Sequence, residues 1–187
     1  MKRTLSIYKM TAAALLIGVG IAIPMFSYRI VIGPASFTLG SHIAVILSMF
    51  ISPAVAAAVA VGTALGFFLG GFDPVIVLRA SMHLIFALIG SLILKKHPQI
   101  LAGTFKLLGF SFFVGVIHAI SEVAAVTLFY SLGTAGLSYF NQDYIKSVLL
   151  LVGVGTLVHS MIDFSIAWLI YTQLIRAKEM KRLFISQ

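Results

Sequence analysis

The stretch RASMHLIFALIGSLILKK, residues 79–96, decides the fold class of this chain. It is almost entirely apolar, and an α-helix over it is long enough to cross most of the roughly 30 Å of hydrocarbon in a bilayer. Arg79 and His83 lie four positions apart, so they share one helix face. Because a charged side chain at membrane depth is costly, such a pair is expected to face a buried partner or a wet cavity.

The composition extends this interpretation to the whole chain. Of 187 residues, 60% are hydrophobic and only 10% are charged, whereas soluble domains carry about 25% charged residues. Apolar runs recur along the full length and are continuous instead of alternating, which favours helices over a membrane β-barrel. We therefore predict an all-α integral membrane protein that forms a single transmembrane domain over residues 1–187.

Turn signals divide the chain into six predicted helices. Gly33 and Pro34 interrupt the first apolar stretch, Pro53 ends a short second helix, and GGFDP closes the third. The predicted helices cover residues of about 5–26, 40–52, 53–69, 75–94, 101–132 and 144–175. The segment SYRIVIGPASFTLG joins the first two and is expected to be a loop.

The basic residues predict the orientation. Three groups flank the apolar runs, and a six-helix arrangement places all of them on the cytoplasmic side. These groups are Lys2, Arg3 and Lys9; Lys95, Lys96 and Lys106; and Arg176, Lys178, Lys181 and Arg182. Only Arg29 and Lys146 remain for the outer loops, so both termini are predicted to be cytoplasmic in the cell membrane. The net charge of +8 is therefore explained by membrane orientation and does not require binding to nucleic acid.

Three pairs of ionisable residues share the spacing i, i+4. They are Arg79/His83, His118/Glu122 and His159/Asp163. If their helix faces converge, they form a polar cavity that opens to the outside, with Arg79 neutralised by Glu122 or by an anionic ligand. The alternative is that these pairs only hold the helices together. We expect Arg79, His83, His118 and Glu122 to bind ligand, and His159/Asp163 to be structural.

Further candidates lie at the rim of this cavity. The apolar loop before the second helix is either a lid or an interfacial connector with aromatic anchors. Phe37 and His42 from this region, with Tyr139 and Asn141 from the loop before the sixth helix, are assigned to the ligand site. Arg29 either steers an anion inward or binds lipid headgroups. Histidine and carboxylate are good metal ligands, but neither HExxH nor a Cys/His pattern is present, so no metal ligand is assigned.

The first helix carries a stripe of small residues. Ala14, Gly18 and Ala22 recur at intervals of four, which allows another helix to approach closely. Such a stripe serves either packing within the bundle or a partner subunit. Enzyme motifs are missing: the sequence has no cysteine, no Walker A loop and no GxSxG. We therefore expect no catalytic residues.

These features resemble the substrate-binding S-components of energy-coupling factor vitamin transporters. The resemblance covers nearly the full length and rests on the six helices and on three segments: AAALLIGVGIA, GPASFTLGSHIAVILSMFISP and GFFLGGF. Within the family, PASFTLGSH is most similar to the subgroup for small heteroaromatic vitamins of the pyridoxine, hydroxymethylpyrimidine or niacin type. Glycine in place of alanine at the centre of the helix-one stripe is a departure from the family pattern.

The resemblance implies a division of labour between subunits. The S-component captures a vitamin from outside and docks through Ala14, Gly18 and Ala22 on a shared membrane coupling subunit, which binds two ATPases. ATP and Mg²⁺ belong to those partners, and this chain needs no cofactor. The first loop would act as a gate. Two alternatives remain open: pantothenate or another vitamin as ligand, and a self-sufficient proton-coupled carrier that uses His118/Glu122 and His159/Asp163 as its relay.

Overall fold

The computed structural model describes residues 2–32, 35–132 and 145–184. Its principal helices are α1 (Lys2–Phe26), α2 (Ile43–Met49), α3 (Pro53–Leu69), α4 (Pro74–Lys96), α5 (Thr104–Ser131) and α6 (Gly155–Leu174). A 3₁₀ turn at Pro98–Ala102 precedes α5, ten residues of π-helix at Ile145–Val154 precede α6, and a short α7 (Lys178–Lys181) follows it. The six predicted helices are thus present, although the sixth begins with wider turns than predicted.

The ends of α3 and α4 follow from capping residues. The hydroxyl of Ser52 accepts a hydrogen bond from the backbone N–H of Val55 at 3.3 Å, and Asp73 accepts one from Val75 at 3.0 Å. Each cap is followed by proline at the first helical position, where its missing N–H costs nothing. Lys95 and Lys96 occupy the last turn of α4, where a positive charge interacts favourably with the negative end of the helix dipole.

Four of the described helical segments are long and apolar enough to cross a membrane: Ile7–Phe26, Pro74–Lys96, Thr104–Phe129 and Ile145–Leu174. α3 is shorter, and the seven residues of α2 reach only about 10 Å. The chain is therefore a mostly helical, multi-pass membrane protein. The structure therefore supports a helical protein that crosses the membrane several times, and the number of six spans stays a prediction.

The connection between α1 and α2 differs from the all-α prediction. Strand β1 (Ile30–Ile32) pairs antiparallel with β2 (Ala35–Phe37), with Ile30 opposite Phe37 and Ile32 opposite Ala35. The β-branched run of β1 favours extended backbone, a signal that the turn residues beside it obscured in the sequence. β1 is exposed, whereas Ala35 is buried, so only the second strand packs on the bundle.

Helix α2 lies at the centre of the bundle, with residues 44–49 all buried. Below it, Phe50 contacts the rings of Phe164, Trp168 and Tyr171 at centroid distances of 5.8, 6.2 and 5.1 Å. This end of the bundle is apolar. The other end, where α2 begins, contains the polar side chains described below.

α1 presents two faces. Ile17 and Ile21 pack against Gly62 and Gly66 of α3, where an added methyl group would overlap with the isoleucine side chains. Gly18 lies on another face, and nothing lies within 4 Å of the position its Cβ would take. Ala14 is exposed as well, and Ala22 is half-buried. Packing within the bundle therefore uses the isoleucines, and the predicted stripe is left largely uncovered in the chain alone.

Candidate ligand-binding site

A partly open cavity of about 60 Å³ lies at the polar end of the bundle. It is lined by Arg29, Ser36, Thr38, Ser41, His42, Thr63, Phe67, Phe72, Ile76, Arg79, Ala80, His83 and Glu122. Two arginines and one glutamate are its charged residues, so with neutral histidines the lining carries one net positive charge. Two larger clefts, of about 740 and 360 Å³, have no charged residue in their linings.

Arg79 and Glu122 connect α4 to α5 at the floor of this cavity. The Nη2 of Arg79 donates to the Oε2 of Glu122 at 2.7 Å, and the hydroxyl of Thr156 on α6 donates to the same oxygen at 2.6 Å. Arg79 also reaches the carbonyl of Ser36 in β2 at 3.5 Å. Its buried Nε has no hydrogen-bond partner among the described residues. Such an orphaned N–H on a buried cation favours an anionic ligand.

His83 and His118 approach the second oxygen of Glu122. Their Nε2 atoms lie 3.7 and 3.4 Å from Oε1. His118 is fully buried, its Nδ1 lies 3.3 Å from the hydroxyl of Ser160, and its Nε2 makes no aligned hydrogen bond in the described part of the chain. The two rings thus fill the space between the charged pair and the core.

His42 lies between the two carboxylates. Its ring centroid is 4.8 Å from that of His83, 4.6 Å from His118 and 5.0 Å from His159. Its Nδ1 lies 2.9 Å from the Oδ2 of Asp163. A residue that the sequence placed at the rim therefore occupies the middle of the polar cluster, which we define as His42, Arg79, His83, His118, Glu122, His159 and Asp163.

Asp163 holds the chain segment that enters α2. Its Oδ1 accepts a hydrogen bond from the backbone N–H of Gly40 at 2.8 Å, and its Oδ2 accepts from that of His42 at 3.0 Å. Gly40 has a φ of +84°, a conformation that glycine adopts without strain. The Nε2 of His159 lies 3.4 Å from the same carboxylate. These contacts agree with the structural role expected for His159/Asp163.

The structure brings the three predicted pairs together, and it places the other candidates individually. Arg79, His83, His42 and Glu122 line the cavity, whereas His118 lies behind them. Phe37 packs against the ring of His159 at 5.6 Å and against the backbone at Gly155, outside the cavity lining. Tyr139 and Asn141 lie outside the described residues.

Hydroxyl groups are the site residues that sequence reasoning missed. Thr156 and Ser160 hold Glu122 and His118, and the hydroxyl of Ser41 lies 3.2 Å from the Nε2 of His159. A signal for two of them existed: residues 156, 159, 160 and 163 follow the spacing i, i+3, i+4, i+7 of one helix face. Including the uncharged polar residues on the helix face of His159/Asp163 would have identified Thr156 and Ser160.

The fold and the cavity define a multi-pass membrane protein with a buried polar site for a small solute. In sequence, the chain is 44% identical over 156 residues to the niacin transporter NiaX of Lactococcus lactis subsp. cremoris, a match that covers 83% of this chain and 69% of that protein. No protein-family model matches the chain, and no solved structure matches it. The chain belongs to the vitamin-binding S-components of energy-coupling factor transporters, in their niacin-type subgroup, which confirms the resemblance predicted from the sequence.

Proposed function

We propose that this chain captures niacin from outside the cell and delivers it to an ATP-driven importer. Niacin is a pyridine ring with a carboxylate at neutral pH, and the relative of this chain is named a niacin transporter. The observation that carries the proposal is the buried guanidinium of Arg79, whose Nε is unpaired beside a cavity with one net positive lining charge. A monoanionic ligand balances that charge.

The lining accounts for both parts of the vitamin. Arg79 would bind the carboxylate, with Arg29 near the mouth, where its guanidinium lies 5.5 Å above the ring of Phe72. Phe67 and Phe72, stacked at 4.5 Å, offer an apolar wall for the pyridine ring. His42 and His83 supply ring nitrogens for its polar edge. Glu122 orients Arg79 and sets the charge of the site.

Binding to purified protein tests this assignment. Niacin should bind the chain in detergent, and pantothenate and pyridoxine should not compete at equal concentration. Arg79→Ala should weaken niacin binding by about 2 kcal/mol, or roughly 30-fold, because a buried anion loses its charged donor. Lys95→Ala is the matched control, since it removes an exposed cation from the same helix. Unchanged affinity in Arg79→Ala would refute the site, and the pair would then serve only to join α4 and α5.

The orientation belongs to the same proposal: both termini in the cytoplasm, the cavity open to the outside, and the β1–β2 hairpin over it as a lid. The absence of cysteine makes a clean labelling test possible. A membrane-impermeant maleimide applied to intact cells should label Ser27→Cys, at the end of α1, and should spare Gln99→Cys, in the 3₁₀ turn before α5. Both positions are exposed. The reverse pattern would invert the orientation.

The coupling partners complete the proposal. Ala14 and Gly18 form an exposed small-residue surface on α1, which supports docking of a membrane coupling subunit with two ATPases. Niacin uptake into proteoliposomes should then require these partners and ATP. A proton-coupled carrier is the alternative, favoured by the rings of His42, His118 and His159, which form a continuous chain between Glu122 and Asp163. Uptake by the chain alone under a pH gradient would support that alternative.

A further inference from the structure

Histidines from three separate segments meet at the floor of the cavity. His42 precedes α2, His83 lies on α4 and His118 on α5, and a ligand atom from each, together with a carboxylate oxygen of Glu122, lies within 4.8 Å of the others. All four residues are buried. Three imidazoles and one carboxylate form a donor set that suits zinc and neighbouring divalent transition metals.

Two of the three histidines are held from behind, so that one donor atom of each is left for the common point. Asp163 holds the Nδ1 of His42 at 2.9 Å, which leaves its Nε2. Ser160 lies 3.3 Å from the Nδ1 of His118, whose Nε2 is buried without a hydrogen-bond partner among the described residues. Metal-bound histidines are oriented in this way by a carboxylate or another polar group on the far nitrogen.

Glu122 is likewise held through one oxygen, which leaves the other free to act as a donor. Arg79 and Thr156 both donate to its Oε2, and its Oε1 faces the Nε2 atoms of His118 and His83 at 3.4 and 3.7 Å. These separations are long for hydrogen bonds between buried groups. Ligand atoms at about 2.0–2.1 Å from a tetrahedral zinc ion lie about 3.3 Å apart. The two distances to Oε1 are therefore close to the edge of a coordination tetrahedron, and the full set of donor atoms lies within 4.8 Å.

The charge of the polar cluster also favours a cation. With neutral histidines, Arg79, Glu122 and Asp163 sum to one net negative charge in a buried site, which is unfavourable at membrane depth. A divalent ion changes the net charge of the buried cluster to one positive, and the exposed Arg29 lies outside this sum. Arg79 does not occupy the metal position, because its guanidinium lies on the opposite oxygen of Glu122.

We propose that His42, His83, His118 and Glu122 form a binding site for one divalent transition metal ion, with Zn²⁺ as the best fit. Asp163, Ser160, Arg79 and Thr156 position these ligands. The metal site can be tested without any vitamin, since its donors converge in the chain without a ligand, although His42, His83 and Glu122 also line the cavity.

Metal binding to the full chain tests the proposal. The protein is purified in detergent through a tag without histidine, treated with a chelator, and titrated with Zn²⁺ alone by calorimetry and with Co²⁺ alone by visible absorption. We expect one ion per chain and the intense absorption bands of tetrahedral cobalt. His83→Gln and His118→Gln should each weaken Zn²⁺ binding by about 100-fold or more. His97→Gln, which changes an exposed histidine at the end of α4, is the matched control.

Two further variants keep the test decisive. Ser160→Ala removes only a group behind His118 and should weaken Zn²⁺ binding about tenfold in a folded protein, even if a histidine variant fails to fold. His159→Gln examines the neighbouring set of His42, His159 and Asp163 and should leave affinity unchanged. The proposal is overturned if no stoichiometric ion binds, if Ser160→Ala and His83→Gln bind as tightly as the parent, or if His159→Gln abolishes binding while His83→Gln retains it.

Discussion

Glu122 and Asp163 each follow a histidine by four residues, and each is buried, yet their surroundings differ in kind. Glu122 accepts hydrogen bonds from the side chains of Arg79 and Thr156 at the floor of the cavity. Asp163 accepts hydrogen bonds from the backbone N–H groups of Gly40 and His42. Both carboxylates contact side chains, since Asp163 also meets the rings of His42 and His159, but Asp163 in addition fixes the course of the main chain.

This difference predicts different responses to substitution. Side chains can exchange partners when a ligand enters, so the contacts of Glu122 suit a site that binds and releases an anion. The backbone N–H groups at Asp163 have no other acceptor among the described residues if the carboxylate is lost, and they lie in the segment that carries β2 into α2. The same i, i+4 pattern thus describes one pair whose carboxylate lines the cavity and one whose carboxylate anchors the main chain.

Removing the architectural carboxylate should have the largest effect. Asp163→Ala leaves the N–H groups of Gly40 and His42 buried without an acceptor and should lower the free energy of unfolding by about 3–5 kcal/mol. Equilibrium unfolding in detergent measures this loss. Ser165→Ala, which changes an exposed residue two positions along α6, should be neutral. A loss below about 1 kcal/mol in Asp163→Ala would show that the loop has other anchors.

Removing the charge of the other carboxylate should change selectivity more than folding. Glu122→Gln keeps an amide oxygen that can accept the hydrogen bond of Arg79, so we expect a stability loss of about 2 kcal/mol. The guanidinium, no longer neutralised by a carboxylate, should favour anions, and the affinity for niacin relative to its uncharged amide should rise about tenfold. Calorimetry with both compounds measures the ratio. A ratio that falls would mean that Glu122 helps to bind the carboxylate.

Much of the fold was predictable because its signals are local. α3 was predicted at residues 53–69 and is observed there, since Ser52, Pro53 and the glycines after Leu69 act on neighbouring backbone alone. The β1–β2 hairpin was not predicted, because three-residue strands give too short a pattern beside turn residues. The π-helix before α6 leaves no periodicity that distinguishes it from an α-helix over ten residues.

The site was predictable only as far as helix faces allow. The i, i+4 spacing indicated that Arg79/His83 and His118/Glu122 each share a face, and the structure joins those faces. The central position of His42 depends on its contact with Asp163, which is 121 residues away in the sequence. No local sequence pattern relates residues so far apart. For the same reason, a search for HExxH could not find a metal site whose donors come from three segments.

A smaller effect is expected where the main chain turns toward Asp163. Gly40 has a φ of +84° and Gly71, in the turn before α4, has a φ of +72°. Alanine at either position should cost about 1–2 kcal/mol of stability, because L-residues avoid this region. Only Gly40→Ala should also weaken niacin binding, since its N–H bonds to Asp163 beside the cavity. Equal niacin affinity in both variants would mean that the segment before α2 has no part in ligand binding.

The smallest effect should come from the hydroxyl that supports Glu122. Thr156→Val preserves volume but removes the 2.6 Å hydrogen bond to Oε2, while Arg79 still satisfies that oxygen, so the expected loss is about 1 kcal/mol. Thr172→Val, which removes a bond to the Leu169 carbonyl within α6, is the control and should leave niacin binding unchanged. Because Thr156 acts through Glu122, its effect should shrink in a Glu122→Gln background, and a double-mutant cycle measures that coupling. If the effects of Thr156→Val and Glu122→Gln simply add, Thr156 stabilises α6 without acting through Glu122. Arg79 would then be the one side chain whose hydrogen bond distinguishes Glu122 from Asp163 in function.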